Sequence, residues 1–559
     1  MSHQSTILDE FRIEQLKYSQ SVETAILSVD AIGEGTSQTE NFIFHRHCDS
    51  IKIYDRVCDH NGGRLSLTGT VVRCPLHGWE FDPSAGKYLN VNCEKKPLAT
   101  INLYELDSPL IELPSSGSRL STVDFENRIK VQIEFINHAC LHFTIGEKLS
   151  FATDPWIIGS AFCNGWWLAQ SSPANVFEKL NDCDFIYISH NHPDHLHPES
   201  LKHIRSDMPM LTAGFETGST ANMLRECGFG NILTMNFVQR LVSDKHTLSL
   251  AVLKSGDFRD DSGLIIEAGQ FKCLLTVDSN FLDFGRLPQV DLLCSSFAGG
   301  ASGFPLCFEN YSEDEKISIV SRNRNAIRAM NIKNIQITKA RYFMPYAGFF
   351  SEKAERDQYI KERNVKNSVS DYSKICEAQG CKLLDVNDTQ VFDFVGSELT
   401  AASPHSLKRY LDKPQSHYLS NVKRLSSAVL KKEVAAYFES AAFQMRLELD
   451  LVCTDDSFEK FFERFSIDFN SGKFEEIDSY YDSVALQRRA TTMGNQYLRL
   501  KVRRDEFSDV ILNGKPWEDL SIGFQCRIFR DPNVYESDFW YYFTNVYIGQ
   551  VARRNNAIK

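Results

Sequence analysis

The sequence predicts a multidomain protein: a small all-β domain at the N-terminus, a larger domain of α/β layers, and an α+β domain at the C-terminus. Three observations carry this. The chain has 559 residues, more than a single hydrophobic core ordinarily spans. Two polar, turn-rich stretches, around Pro114 to Ser121 and around Gly396 to Ser406, divide it into blocks of 1–120, 121–395 and 396–559. The hydrophobic pattern also changes from block to block. In the first, short apolar runs such as IKIYDRV and TVVRC alternate with Gly, Asn and Asp turns, the mark of short strands. The second opens with a strand-like run, KVQIEFI, and then sets DFIYISH and CLLTVDS between helix-like segments, as a layered α/β domain requires. The third begins with LKKEVAAYFESAAFQMRLELDLV, read as helical, and ends in the aromatic segment DFWYYFTNVYIG.

Composition excludes several classes of function. Hydrophobic residues make up 42% and charged residues 24%, enough apolar material for packed cores and too much for a disordered chain. With 61 Lys and Arg against 73 Asp and Glu, the net charge is −12, and no basic run is present to follow a phosphate backbone. Nucleic acid is therefore not an expected partner. The 15 cysteines are an odd number spread along a long chain, which reads as mostly reduced thiols and not as a disulfide framework. The opening MSHQSTILDEFRIEQLKYSQ has no apolar leader, and no window approaches 18 consecutive apolar residues. The expected location is cytoplasmic, without a membrane span.

The strongest local signal lies in the first block. Cys58-x-His60 is followed by Cys74-x-x-His77 within CDHNGGRLSLTGTVVRCPLHGWEFD. Two thiolates and two imidazoles would also suit a structural zinc. Here each Cys is paired with a His on its own turn, and Gly62, Gly63 and Gly78 allow a tight backbone around an inorganic cluster. In a Rieske [2Fe–2S] centre two Cys hold one iron and two His the other. Residues 45–110 resemble such a domain, with Cys58, His60, Cys74 and His77 as the implied ligands. The additional loop cysteines of high-potential Rieske proteins are replaced by Gly63 and Leu76, so the resemblance is to the type that feeds oxygenases. Cys48 and Cys93 read as ordinary thiols.

A second cluster follows the run DFIYIS: His190-Asn191-His192-Pro193-Asp194-His195. A strand end opening into a loop is where an α/β sheet presents ligands. This HxHxDH pattern, with the upstream DPW at Asp154 and the TVDS around Asp278, resembles the metallo-β-lactamase superfamily. That resemblance implies an αββα sandwich over roughly 125–395, with Asp278 in the place of the metal-bridging aspartate. The third and fourth histidines of the hydrolytic members have no counterpart: KSGDFRDDSG, before Asp278, holds none, and no His lies between His246 and His405. His246 reads as a surface residue. A complete two-zinc hydrolase site is not expected. His190, His192 and Asp278 supply instead two imidazoles and one carboxylate, the type set of a non-haem Fe(II) centre, and Asp194 and His195 with Asp278 form an alternative set that leaves room for a second metal. Asp257, Asp260 and Asp261 stand where the third His would be and read as loop carboxylates or, for one of them, a replacement ligand. His197 reads as solvent-facing, and His138, in FINHACLHF, as a residue supporting the metal from behind its ligands.

Together the two clusters imply electron transfer to an oxygen-activating iron. Longer words extend the resemblance: NHAC at Asn137 to Cys140, DPWIIGSAFCNGWWL, IYISHNHPDHL, SFAGGASGFP ending at Pro305, MPYAGFF, and WEDLSIGFQCRIFRDP at Trp517 to Pro532. On these the chain resembles the CMP-N-acetylneuraminate hydroxylase family. The resemblance implies a Rieske-dependent non-haem iron monooxygenase. It would act on a small substrate (a nucleotide sugar, or an N-acyl or amino compound) with O2 and electrons from cytochrome b5 or a ferredoxin with its reductase. The alternative is a lactamase-fold hydrolase of a phosphoester or amide, with the Rieske cluster as redox regulator; a non-enzymatic electron carrier is a third reading. From the residues alone, SFAGGASGFP suits either an anion-binding turn, with Lys339 and Arg341 as charge partners, or a structural one. Trp156, Trp166 and Trp167 suit a pocket or a core. RDEFSDVILNGKPWEDLSIG weakly resembles a lipid-binding module, and a packing domain fits it equally.

Overall fold

A computed structural model describes residues 7–543, except 20–23, 40–41, 57, 59–64, 70, 75–78, 92, 107, 115–118, 257–258, 280, 406–407, 427–430, 440–442 and 478–482. Its centre is a sandwich of two eight-stranded sheets. One runs 12–15, 239–243, 248–254, 262–268, 271–275, 292–296, 342–346, 382–383 in spatial order, and the other 232–235, 210–213, 185–188, 149–153, 140–145, 130–137, 391–395, 398–403. Strands such as Ser262–Ala268 are buried at every position, because one face meets the facing sheet and the other a helical layer. Val131, Ile133 and Phe135 meet Leu250, Val252 and Ile266 in the inter-sheet core. On the far side of the second sheet, Ile186 and Ile188 pack with Val176, Leu180, Leu201 and Leu224 from three short helices. The long helix Glu313–Thr338, started by a Ser312/Glu315 capping box, covers the first sheet. This is the expected αββα arrangement.

Both block boundaries are crossed by strands. Arg12–Gln15, from the first block, pairs with Gln239–Val242 at one sheet edge. Glu398–Ser403, within the stretch read as a polar divide, pairs with Val391–Val395 at the edge of the other sheet. Its mostly exposed side chains are what an edge strand tolerates.

The N-terminal domain is all-β. One four-stranded sheet (35–38, 42–47, 50–55, 99–102) lies beside another (66–68, 71–73, 80–82, 87–88). Cys58 and Cys74 are buried with Ile43, Leu65 and Trp79, whereas His60 and His77 lie outside the described residues.

The C-terminal domain is a five-stranded sheet (473–476, 461–468, 447–454, 496–503, 526–531) with helices against it. Part of the run read as helical is its central strand, Leu447–Thr454. The alternation of Glu448 and Asp450 with leucines is a strand period whose polar face is also buried. Arg489 and Arg464 pair with these two carboxylates, which makes that burial tolerable. The aromatic cavity of a lipid module is instead filled: Tyr437, Phe438, Trp517, Phe539 and Phe543 pack into one core.

That core continues into the sandwich domain, taking in Trp156, Phe162, Trp166 and Phe350. Trp166 stacks on Phe350 with ring centroids 3.6 Å apart and donates its indole N–H to the Ile522 carbonyl at 3.0 Å. The backbones approach so closely here that a Cβ on Gly165 would lie 2.0 Å from the Gly523 carbonyl oxygen. A buried ion pair, Arg503 with Asp357, spans the same interface, and Arg503 also donates to Gln525 at 2.8 Å and to the Arg356 carbonyl at 2.7 Å. Removing one partner strands the other charge. Asp357→Ala is expected to cost about 3–5 kcal/mol, read as a lower urea midpoint, with part of the loss recovered when Arg503→Met is added.

Candidate metal centre and cavity

The strand Phe185–Ile188 ends beneath the loop that carries the histidine cluster, and Phe271–Leu275 ends beside it just before Asp278. Between them lies Asp154, fully buried. Its carboxylate accepts the backbone N–H and the hydroxyl of Ser189, both at 2.8 Å, and meets His195 Nδ1 at 3.0 Å. Fixing Nδ1 in this way turns His195 Nε2 toward the interior, 3.4 Å from both Asp194 and Asp278. His138 sits in the turn between the strands Lys130–Asn137 and Cys140–Ile145, at φ 43°. Its Nε2 lies 3.1 Å from Asp194 Oδ2.

On the other side, His190 Nδ1 meets the Ser189 hydroxyl at 3.0 Å, and its Nε2 faces His192 Nδ1 at 2.9 Å. Asp261 stands 3.6 Å from His190 and is held by Arg259 at 3.1 Å. Three sets of ligand atoms thus lie within 4.8 Å of one another: His138, Asp194 and His195; His190, His192 and Asp261; His190, His195 and Asp278. The two ligand sets anticipated as alternatives share one centre, with Asp278 between them.

The structure narrows two open readings and corrects two others. Of the three carboxylates before Asp278, Asp261 lies within ligand distance of His190 and His192; Asp260 turns away to Thr217 and Ser219, and Asp257 lies outside the described residues. His197 is buried, not solvent-facing, because its ring caps the short helix Pro198–Leu201. His246 is well covered and meets Glu10 at 3.0 Å, remote from the cluster. Lys339 caps a helix end and Arg341 pairs with Glu398, so neither serves the glycine-rich turn at 296–305.

The electrostatics fit a cation. Burial holds the His190 imidazole down, to about 4, in the neutral form that coordinates metals. His192 is the exception: Glu518, 3.9 Å from its Nε2, outweighs burial and raises the group to about 9, which favours a proton on this imidazole in the absence of a metal. Against the same penalty, His195 and His138 hold Asp194 well below the usual carboxylate range, and Arg259 with His190 does so for Asp261. His138 Nδ1, His195 Nε2 and Asp194 Oδ1 are buried without a hydrogen-bond partner among the described residues. Buried polar atoms are ordinarily satisfied; imidazole and carboxylate atoms left open at one point suit a metal ion.

Beside this centre opens a cavity of ≈ 560 Å³. The sandwich domain lines it with His192, Asp261 and Asp278, the N-terminal domain with Cys74 and Trp79, and the C-terminal domain with Glu518 and Tyr535. Glu518 was not anticipated: it opens the short helix Glu518–Ile522 within a word noted only for its resemblance.

Fold and site define a class: an iron–sulfur protein in which a Rieske domain is joined to a lactamase-fold metal domain. The Rieske [2Fe-2S] domain family matches residues 18–107 and the beta-lactamase superfamily domain matches 132–267. At full length the chain is similar to the cytidine monophosphate-N-acetylneuraminic acid hydroxylase of Mus musculus, 29% identical over 545 residues that cover 90% of this chain and 91% of that one. The Danio rerio enzyme of the same name is 28% identical over 540 residues, 90% of this chain and 88% of the other. Among solved structures, CmlA, a diiron beta-hydroxylase from Streptomyces venezuelae, overlaps 48% of this chain and 54% of its own, with 16% identity and a TM-score of 0.33.

Two variants test the centre. Metal analysis of Asp278→Ala should retain the roughly two irons of the cluster and lose the remainder. Asp154→Ala, which frees His195 to rotate, should weaken iron binding about 10–100-fold, measured by competition with a chelator.

Proposed function

We propose that the protein is a Rieske-dependent non-haem iron monooxygenase acting on a small organic substrate, as the relatives' name suggests for an N-acetyl group of a nucleotide sugar. The observation that carries this reading is the shared cavity, onto which a cluster-bearing cysteine, Cys74, and the histidine–aspartate centre both open. Cys58, His60, Cys74 and His77 hold the [2Fe–2S] cluster in this reading. His190, His192 and Asp261 hold one metal position, and His138, Asp194 and His195 a second, with Asp278 between them. Iron there supplies oxygen activation, and the cluster supplies single electrons.

The chain's own residues do the rest. Asp154 fixes the His195 tautomer and ring direction through Nδ1. Arg259 keeps Asp261 ionised and aimed at the imidazoles. Glu518, 3.9 Å from His192 Nε2, sets a negative charge beside that imidazole from the C-terminal domain. Phe162, Trp166 and Ile522 line the cavity and exclude water from its inner wall. Hydroxylation of a C–H bond consumes O2, two electrons and two protons and releases water, so an external one-electron donor is needed. Cytochrome b5, or a ferredoxin with its reductase, fits that role. Among the described residues no helix is long and apolar enough to cross a membrane, and cytoplasmic residence suits both the donor and the free thiols.

Anaerobically reduced protein given O2 and CMP-N-acetylneuraminate should yield hydroxylated product by mass spectrometry, and Cys74→Ala should yield none. Product from Cys74→Ala, or hydrolysis by zinc-loaded protein without reductant, would overturn the reading.

A further inference from the structure

Resting on the monooxygenase reading, we infer that electrons pass from cluster to metal centre within a single chain, across a contact that Tyr535 of the C-terminal domain makes with Trp79. The Trp79 carbonyl accepts the Cys74 N–H at 2.7 Å, so Trp79 is tied to a residue of the cluster loop. The Tyr535 ring lies against Trp79 with centroids 6.0 Å apart. This contact is set by backbone and not by side-chain chance: Tyr535 N–H donates to the Asn90 carbonyl at 3.1 Å, and Val91 and Tyr535 form a parallel bridge. Val91 and Trp79 belong to the packed core around Cys58 and Cys74, with Tyr535 against it.

From Tyr535 the cavity wall continues to Glu518 and His192. The C-terminal domain thus contributes to one cavity wall a ring that meets Trp79 and a carboxylate that faces His192, all within one chain. Coupling between sites runs through contiguous packed groups of this kind. Each passage moves one electron: the reduced cluster is oxidised, the metal at the histidine–aspartate centre is reduced, and an external one-electron donor recharges the cluster. Tyr535 is a positioning residue here. Its ring fills the gap and holds the two walls together, and its hydroxyl takes no part.

The test uses full-length, iron-loaded protein whose cluster has been reduced with dithionite. Oxygen and CMP-N-acetylneuraminate are added, and loss of the reduced-cluster EPR signal is followed by rapid freezing. The rate should not change with protein concentration. It should fall several-fold in Tyr535→Leu and stay near wild type in Tyr535→Phe, with the EPR spectrum and midpoint potential of the cluster unchanged in both. A rate proportional to protein concentration, or an unslowed Tyr535→Leu with an intact cluster signal, overturns the inference and leaves the monooxygenase reading standing. Equal rates in wild type and Asp278→Ala would remove both, because the cluster would then discharge without the centre.

Discussion

The cavity exists because two backbones touch. At the loop Phe162–Gly165 and the turn Ile522–Phe524 the chain can approach only where side chains are missing, and a Cβ on Gly523 would lie 1.9 Å from the Phe162 carbonyl oxygen. Phe162, Cys163 and Asn164 take positive φ to make the turn, a conformation non-glycine residues hold only when the surroundings enforce it. The enforcing elements are the buried Trp166 indole bond to Ile522 and the Arg503 network. With the domains docked this tightly, Glu518, the first residue of the helix Glu518–Ile522, faces His192 at 3.9 Å. The C-terminal domain, the least legible third of the sequence, is what closes the site.

The metal centre follows a different logic, that of charge. Asp154, Asp194 and Asp261 are all almost wholly buried, and isolated buried carboxylates are costly. Each is matched by an imidazole or a guanidinium, yet among the described residues Asp194 Oδ1 and His195 Nε2 have no hydrogen-bond partner. Because Asp261 and His138 complete groups of possible ligands with the histidines that are present, the shortage of histidines does not by itself distinguish oxygenase from hydrolase. A hydrolase, however, gains nothing from a cysteine-bearing redox loop on the wall of its substrate cavity. The distinction rests on where Cys74 lies, not on how many ligands the centre has.

What the sequence disclosed were features whose chemistry is local. The Cys-x-His and Cys-x-x-His pairs, the HxHxDH run at a strand end and the valine- and isoleucine-rich strands all carry their meaning within a few residues. Features that depend on distant packing were hidden. Asp261 is one of three equivalent-looking carboxylates in the sequence, and its direction is set by Arg259 and by the strand that begins at Ser262. Glu518 reaches His192 from more than three hundred residues away. His197 looked exposed because its role, capping a helix of four residues, leaves almost no periodic signal. The strand Leu447–Thr454 reads as helix in the sequence because its acidic residues are neutralised by Arg464 and Arg489 on other elements, a pairing that no local pattern announces.

The same docking bears on how electrons and substrate share one space. One cavity is lined by Cys74 and Trp79 of the N-terminal domain and by His192, Asp261 and Asp278 of the sandwich domain, so a substrate that fills it also excludes water from among them. Removing water there strengthens the charge interactions among Arg259, Asp261 and Glu518 and keeps the electron path packed. Substrate binding and electron delivery would then be coupled by occupancy of a common volume, without a moving domain.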